Sequence, residues 1–219
     1  MLKELRPAVV SLALFTLLTG VLYPIAVTVV AQLLFPFQAN GSVLLENGKP
    51  VGSELIGQQF SDPRYFWSRL SATGPVPYTA FNGETLTGSS GSNYGPLNPA
   101  LVEAAKGRID ALHAADPQQT SAVPVDLITA SGSGLDPHIS PAATEYQVSR
   151  VASARKKPVN EILELIRQHT SRRQLGVLGE PGVNVLQLNQ ALDGMKPEKR
   201  VTREGIHPYG FGRFQRTVE

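Results

Sequence analysis

A chain of 219 residues with no cysteine and a formal net charge of +2 excludes several classes at once. Without thiols there is no disulfide framework, thiolate metal site, thiol nucleophile or redox relay. With 42% hydrophobic residues it is not a disordered polymer, although 20 Gly and 17 Pro make it rich in loops. The charge is uneven: the stretch from Lys196 to Glu219 carries six Lys/Arg and three Asp/Glu, a net of +3, so the rest stands at −1. No basic surface suited to nucleic acid follows from that balance.

Residues 1–7 are a short N-terminus and residues 8–35 the segment that organises everything after it. No charged residue occurs from Pro7 to Leu45. A helix needs about 20 apolar residues to cross ~30 Å of hydrocarbon, and only a helix satisfies its backbone there. The run therefore predicts a single transmembrane anchor. A soluble core helix of this length would carry charge. A signal peptide has an apolar region of about 7–15 residues ending in a small-x-small site. Here the run is longer, and the nearest such site, at Ala39, has Phe37 where a small residue belongs. Retention is expected over cleavage. Lys3 and Arg6 keep the short N-terminus in the cytoplasm, and residues 36–195 form one soluble domain on the periplasmic side. Thr16, Gly20 and Pro24 recur at spacing four, a stripe of small residues that lets a second helix approach closely. Pro24 also removes the donor for the Gly20 carbonyl and predicts a kink.

Past the anchor, Val43-Leu44-Leu45 and a run from Val51 to Ile56 flank Asn47-Gly48, which predicts a small hairpin. Residues 58–97 hold most of the aromatics without periodicity. Trp67 between Arg64 and Arg69 reads either as an interface anchor or as one of several aromatics pinning loops to a core. Asn98-Pro99 opens a helix with Leu101, Val102, Ala105, Ile109 and Leu112 on one face, and Asp116-Pro117 ends it. Pro124 to Thr129 reads as a short strand feeding a glycine-serine loop up to Pro141. Ser140-Pro141 starts a helix running to about Lys157. Val159, Ile162, Leu163 and Ile166 give the next helix its apolar face, and Gly176 to Asn184 is a turn. Asn184 caps a last helix with Val185, Leu188 and Leu192 inward and Gly194 just past its end. The expected fold is α+β: one N-terminal transmembrane helix, then a mixed domain with short strands and about four helices. Residues 196–219 form a basic tail expected to be flexible.

Chemistry is sparse. Ser131, Gly132, Ser133 and Gly134 lie between the expected strand and a helix N-terminus, the layout of a phosphate cradle, but no GxxxxGK[ST] or GxGxxG completes it. His113, His138, His169 and His207 are far apart with no metal spacing. No GxSxG elbow is present. Asp126 and Asp136 are the nearest approach to a carboxylate pair, and His138 follows Asp136-Pro137 in the same loop. The residues support no catalytic site, metal site or tightly bound cofactor.

Six segments taken together resemble a known family: GVLYP at 20–24, FWSRLSAT at 66–73, GSNYGPLNPAL at 91–101, PVDLITASGSGLDPHISPAA at 124–143, YQVSRVASAR at 146–155 and NVLQLNQALD at 184–193. In this order they resemble the C subunit of the bacterial Kdp-type potassium-transporting ATPase, over about residues 5–195. The resemblance implies a non-catalytic subunit of an inner-membrane potassium pump. Its partners would be a channel-like potassium-binding subunit, a P-type ATPase subunit that hydrolyses ATP, and membrane lipid, with no nucleic acid. It implies a role in stabilising that complex and raising the ATP affinity of the ATPase subunit. A glutamine linked to nucleotide in that family matches Gln147, which with Ser131, Gly132, Ser133, Gly134, Asp136 and His138 makes the candidate nucleotide or partner contact. Potassium would be the transported ion, and ATP would be met only through the complex. A domain outside the membrane does not reach cytosolic ATP, so an assembly or ion-entry role is expected above direct contact. The alternative is a membrane-anchored periplasmic enzyme or adaptor using loop 130–141. Nothing from the family carries onto residues 196–219.

Overall fold

The computed structural model describes residues 2–194. Their contacts divide into two compact units, one ending at Val43 and the other beginning at Leu44. The expected tail lies outside the described residues.

The first unit is the anchor. Helix α1 (Leu2–Leu17) runs through a π-helical turn, Leu18–Leu22, into α2 (Tyr23–Leu34). The apolar helix Lys3–Leu34 has a mean hydropathy of 2.1, and no part of it is buried within the chain. It is long and apolar enough to cross a membrane. The π-turn falls where the sequence predicts a kink. Pro24 has no N–H to give, so the helix takes up one extra residue and Tyr23 N–H donates to the Leu18 carbonyl, five residues back. Thr19 Oγ1 donates to the Phe15 carbonyl at 2.6 Å. Past α2, Pro36 opens a one-turn helix, α3 (Pro36–Ala39), and Asn40 exchanges amide hydrogen bonds with Gln32 while donating to the Pro36 carbonyl at 2.6 Å.

The second unit is a mixed helical domain with three small sheets. Strands β1 (Val43–Glu46) and β2 (Lys49–Ser53) form the expected hairpin, with Asn47 and Gly48 both at positive φ, as a tight type I′ turn needs, although the second strand starts at Lys49 and stops at Ser53 rather than running from Val51 to Ile56. A second hairpin, β3 (Phe81–Asn82) with β4 (Thr87–Gly88), stands in the long loop. Helix α4 (Pro99–Ala115) begins where Asn98 accepts from Ala100 N–H and ends at Asp116, as read from the sequence. Only Leu112 of its apolar face is buried; Val102 is exposed.

Three expectations need correction. Pro124 to Thr129 is not a strand: Val125–Ile128 winds into a short helix, α5. That winding puts Leu127 in the core and lets Asp126 accept from both the backbone N–H and the hydroxyl of Ser140, at 2.7 and 3.1 Å, an arrangement a strand would not give. The helix expected from Pro141 to Lys157 is two, α6 (Pro141–Tyr146) and α7 (Val148–Arg155), broken at Gln147. The stretch from Gly176 to Asn184 is not wholly a turn, because Gly182–Asn184 forms β7. This strand lies between β5 (His138–Ile139), hidden inside the glycine-serine loop, and β6 (Thr170–Ser171), antiparallel to both. Single-residue neighbours cannot reveal two- and three-residue strands, which exist only through their partners.

Helix α8 (Val159–His169) buries Ile162 and Ile166, and α9 (Val185–Leu192) buries Val185, Leu188 and Leu192 as its spacing predicts. Asn184 caps α9 by accepting from Gln187 N–H. Gly194 takes positive φ just beyond it. These helices, β5 and β7 close over one core that includes Phe66, Trp67, Leu127, Val151 and Val183.

Candidate functional site

The centre of the domain is a stretch with no regular secondary structure, residues 62–70. Every carbonyl along it accepts a hydrogen bond, and most donors are side chains. Trp67 Nε1 donates to Asp62 O at 3.0 Å. Arg150 Nη1 donates to Pro63 O at 2.6 Å and Tyr65 O at 2.9 Å. Arg155 Nε donates to Arg64 O at 2.6 Å. Asn189 pairs both ways with Phe66, accepting from its N–H and donating to its carbonyl, each at 2.9 Å. Gln147 does the same for Trp67, at 2.8 and 3.2 Å. Arg108 Nη2 reaches Ser68 O at 2.7 Å, Tyr78 Oη reaches Arg69 O at 2.8 Å, and Ser131 N–H reaches Leu70 O at 3.2 Å. Side-chain amides and guanidiniums thus do for this segment what a neighbouring strand would do in a sheet.

Gln147 is 1% exposed. Its Oε1 also accepts from Arg150 Nη2 at 2.6 Å, and its Nε2 also donates to Ala143 O at 3.2 Å. Its amide is fully used inside the protein. Trp67, 6% exposed, follows the second of the two readings given above: it is a core aromatic. Its ring lies between two guanidiniums, with Arg108 at 5.0 Å and Arg150 at 4.7 Å from its centroid. Burial pulls both arginines below the usual range, Arg150 to about 10, with the charge of Arg108 adding to the shift. Arg64 turns outward to an ion pair with Asp62 at 2.7 Å.

The other predicted residues gather on the same segment. Arg69 Nη1 donates to Asp136 Oδ2 at 3.1 Å, and Asp136 Oδ1 accepts from His138 N–H at 2.9 Å, with His138 Nδ1 at 3.5 Å. Burial pushes the Asp136 carboxyl upward, but the His138 hydrogen bonds and the Arg69 charge outweigh it and hold the group below the usual 3.8. Ser131 and Gly134 are buried; Gly132, Ser133 and His138 are exposed. The loop does not stand open as a cradle. Ser71 Oγ donates to Gly134 O at 2.6 Å, and Ser89 Oγ donates to Ser133 O at 2.9 Å. A Cβ on Gly134 would sit 2.5 Å from Ser90 O, and one on Gly91 would sit 2.8 Å from Gly132 O. The two glycine-serine loops pack backbone to backbone, and that close approach is what these glycines serve.

Arg108, Arg150, Arg155 and Asn189 escaped the sequence reading. One signal was available: Arg150 sits three residues after Gln147 and beside Val148, Val151 and Ala152, on a face otherwise buried. Asn189 gave none, since its partner lies 123 residues away. Among the described residues no group of His, Asp and Glu has the arrangement of a metal site. Thr16, Gly20 and Pro24 lie in the anchor, where a Cβ on Gly20 would stand 4.0 Å from Thr16 Cγ2.

Against known proteins, the family described as "KdpC: K+-transporting ATPase, c chain" matches residues 5–194. The chain belongs to this family. Relatives called "Potassium-transporting ATPase KdpC subunit" agree along nearly their whole length. That of Herpetosiphon aurantiacus is 63% identical over 191 residues, 87% of this chain and 96% of the relative. That of Polaromonas naphthalenivorans is 62% identical, covering 88% and 95%. That of Sorangium cellulosum is 58% identical, covering 90% and 100%. The KdpC match ends where the described residues end, short of the basic tail. Membership makes the chain an accessory subunit of a potassium-transporting ATPase, with one apolar helix among the described residues suited to anchoring it.

Proposed function

We propose that the chain is a non-catalytic assembly subunit that holds the channel-like and P-type ATPase subunits of the pump together from the periplasmic side. The family match from residue 5 to 194 carries this reading. The geometry supports it in two ways. Gln147, Arg150, Arg155 and Asn189 are spent on the domain's own segment 62–70, which makes a stiff body rather than an open active site. Its most exposed apolar residues stand on loop tips, Leu97 at 96%, Leu175 at 90% and Leu86 at 79% exposed, where another protein can cover them. The Thr16, Gly20 and Pro24 stripe would pack against a partner helix.

An influence on the ATP affinity of the ATPase subunit then runs through subunit contacts. Gln147 would act by fixing Trp67, and the exposed Ser133 and His138 by touching a partner. Two experiments test the reading. Leu97→Glu and Leu175→Glu are expected to leave the chain folded but reduce its co-purification with the pump; undiminished recovery of the intact complex overturns the docking role. Single cysteines at Ser89 and Glu103, labelled with a membrane-impermeant reagent, are expected to react in intact cells; labelling only after lysis reverses the orientation and restores direct nucleotide contact.

A further inference from the structure

A cavity of about 70 Å³, lined by Ser68, Arg69, Ser71, Tyr78 and Arg108 among others, opens beside the segment 62–70. It is roomy enough for more than one water-sized group. We propose that it binds a small monovalent anion of halide size. Charge and unused donors point to it. Arg108 spends Nε on Leu127 O at 3.1 Å and Nη2 on Ser68 O at 2.7 Å. Among the described residues its Nη1 meets no acceptor, and no carboxylate comes within ion-pair distance of it. Arg69 donates to Asp136 and, at 3.4 Å, to Ala130 O, but its Nε is buried without an acceptor.

The charges facing the cavity are therefore two guanidiniums against the one carboxylate of Asp136, with His138 beyond it. Tyr78 adds no negative charge, because burial pushes its phenol up to about 12 and its hydroxyl donates to Arg69 O. Arg150 lies across the Trp67 ring and does not line the cavity. A desolvated guanidinium facing a cavity with free N–H groups is costly alone, and an anion offsets that cost. The excess of one positive charge fits a monovalent ion. Phe60 and Pro77 supply an apolar wall beside these donors, which suits a weakly hydrated halide.

Trp67 is the only tryptophan in the chain, and its ring lies 5.0 Å from the Arg108 guanidinium, so its fluorescence reads the site directly. The full chain in detergent is titrated with bromide at constant ionic strength. Saturable quenching, reversed by chloride and lost in Arg108→Gln, is expected. Quenching that is linear in bromide, or saturable but unchanged in Arg108→Gln, overturns the site. If Arg108→Gln does not fold, Arg69→Gln removes the other guanidinium and its unpartnered Nε; unaltered bromide saturation in that variant overturns the site as well.

Discussion

At the scale of single residues, the domain depends on a few polar side chains whose work is structural. Replacing Gln147 by Leu leaves the N–H and carbonyl of Trp67 and one Arg150 donor unpaired in a closed interior. The expected loss is about 1–3 kcal/mol for each group left bare, read by urea denaturation of the full chain. Asp136 makes a prediction about pH. Its carboxyl is held below 3.8 in the fold, so it stabilises at pH above that value, and the contribution is lost as pH falls through the lowered folded value. Asp136→Asn should cost more stability at pH 7 than at pH 3, and unfolding at the two pH values checks it.

Among the elements, the paired glycine-serine loops separate two roles that look alike in sequence. Gly134 has φ of +69° and a Cβ there would meet backbone at 2.5 Å, whereas nothing lies within 4 Å of a Cβ on Gly132. Gly134→Ala is expected to lower the melting temperature sharply and Gly132→Ala hardly at all. Asn184→Ala should cost about 1 kcal/mol for the lost cap of α9, and somewhat more through its bond to Glu54 O at 2.8 Å. Helix starts, apolar faces and the first hairpin were legible because caps, turn glycines and 3.6-residue periodicity are local signals. The break at Gln147 and the short helix at Val125 were not, since each is imposed by a contact with Trp67 or Ser140 that no window around it contains. The same reason hid most of the site: the loop residues were picked out, while the segment they hold was read as an irregular aromatic stretch.

For the molecule as a whole, the anchor and the domain answer to different solvents. The helix Lys3–Leu34 exposes apolar residues along its length, as a segment surrounded by lipid or by other helices does. Gly20→Leu is expected to weaken recovery of the intact pump without changing the urea unfolding of the domain, because it fills the space beside Thr16 within the anchor helix.

The side-chain hold on residues 62–70 has a consequence for how the protein is made. Donors to this segment arrive late: Arg150 and Arg155 from α7, Asn189 from α9 near the end of the described chain. A ribosome that has released residues 1–100 has delivered the membrane anchor and the aromatic stretch but none of those three partners. Until α9 emerges, Phe66 lacks Asn189 and the core lacks Val185, Leu188 and Leu192, so the nascent domain is open to proteases and to wrong company. Chains stopped before Asn184 should therefore be degraded whole rather than accumulate as a folded N-terminal half, a result that pulse-chase labelling of truncated chains would register directly.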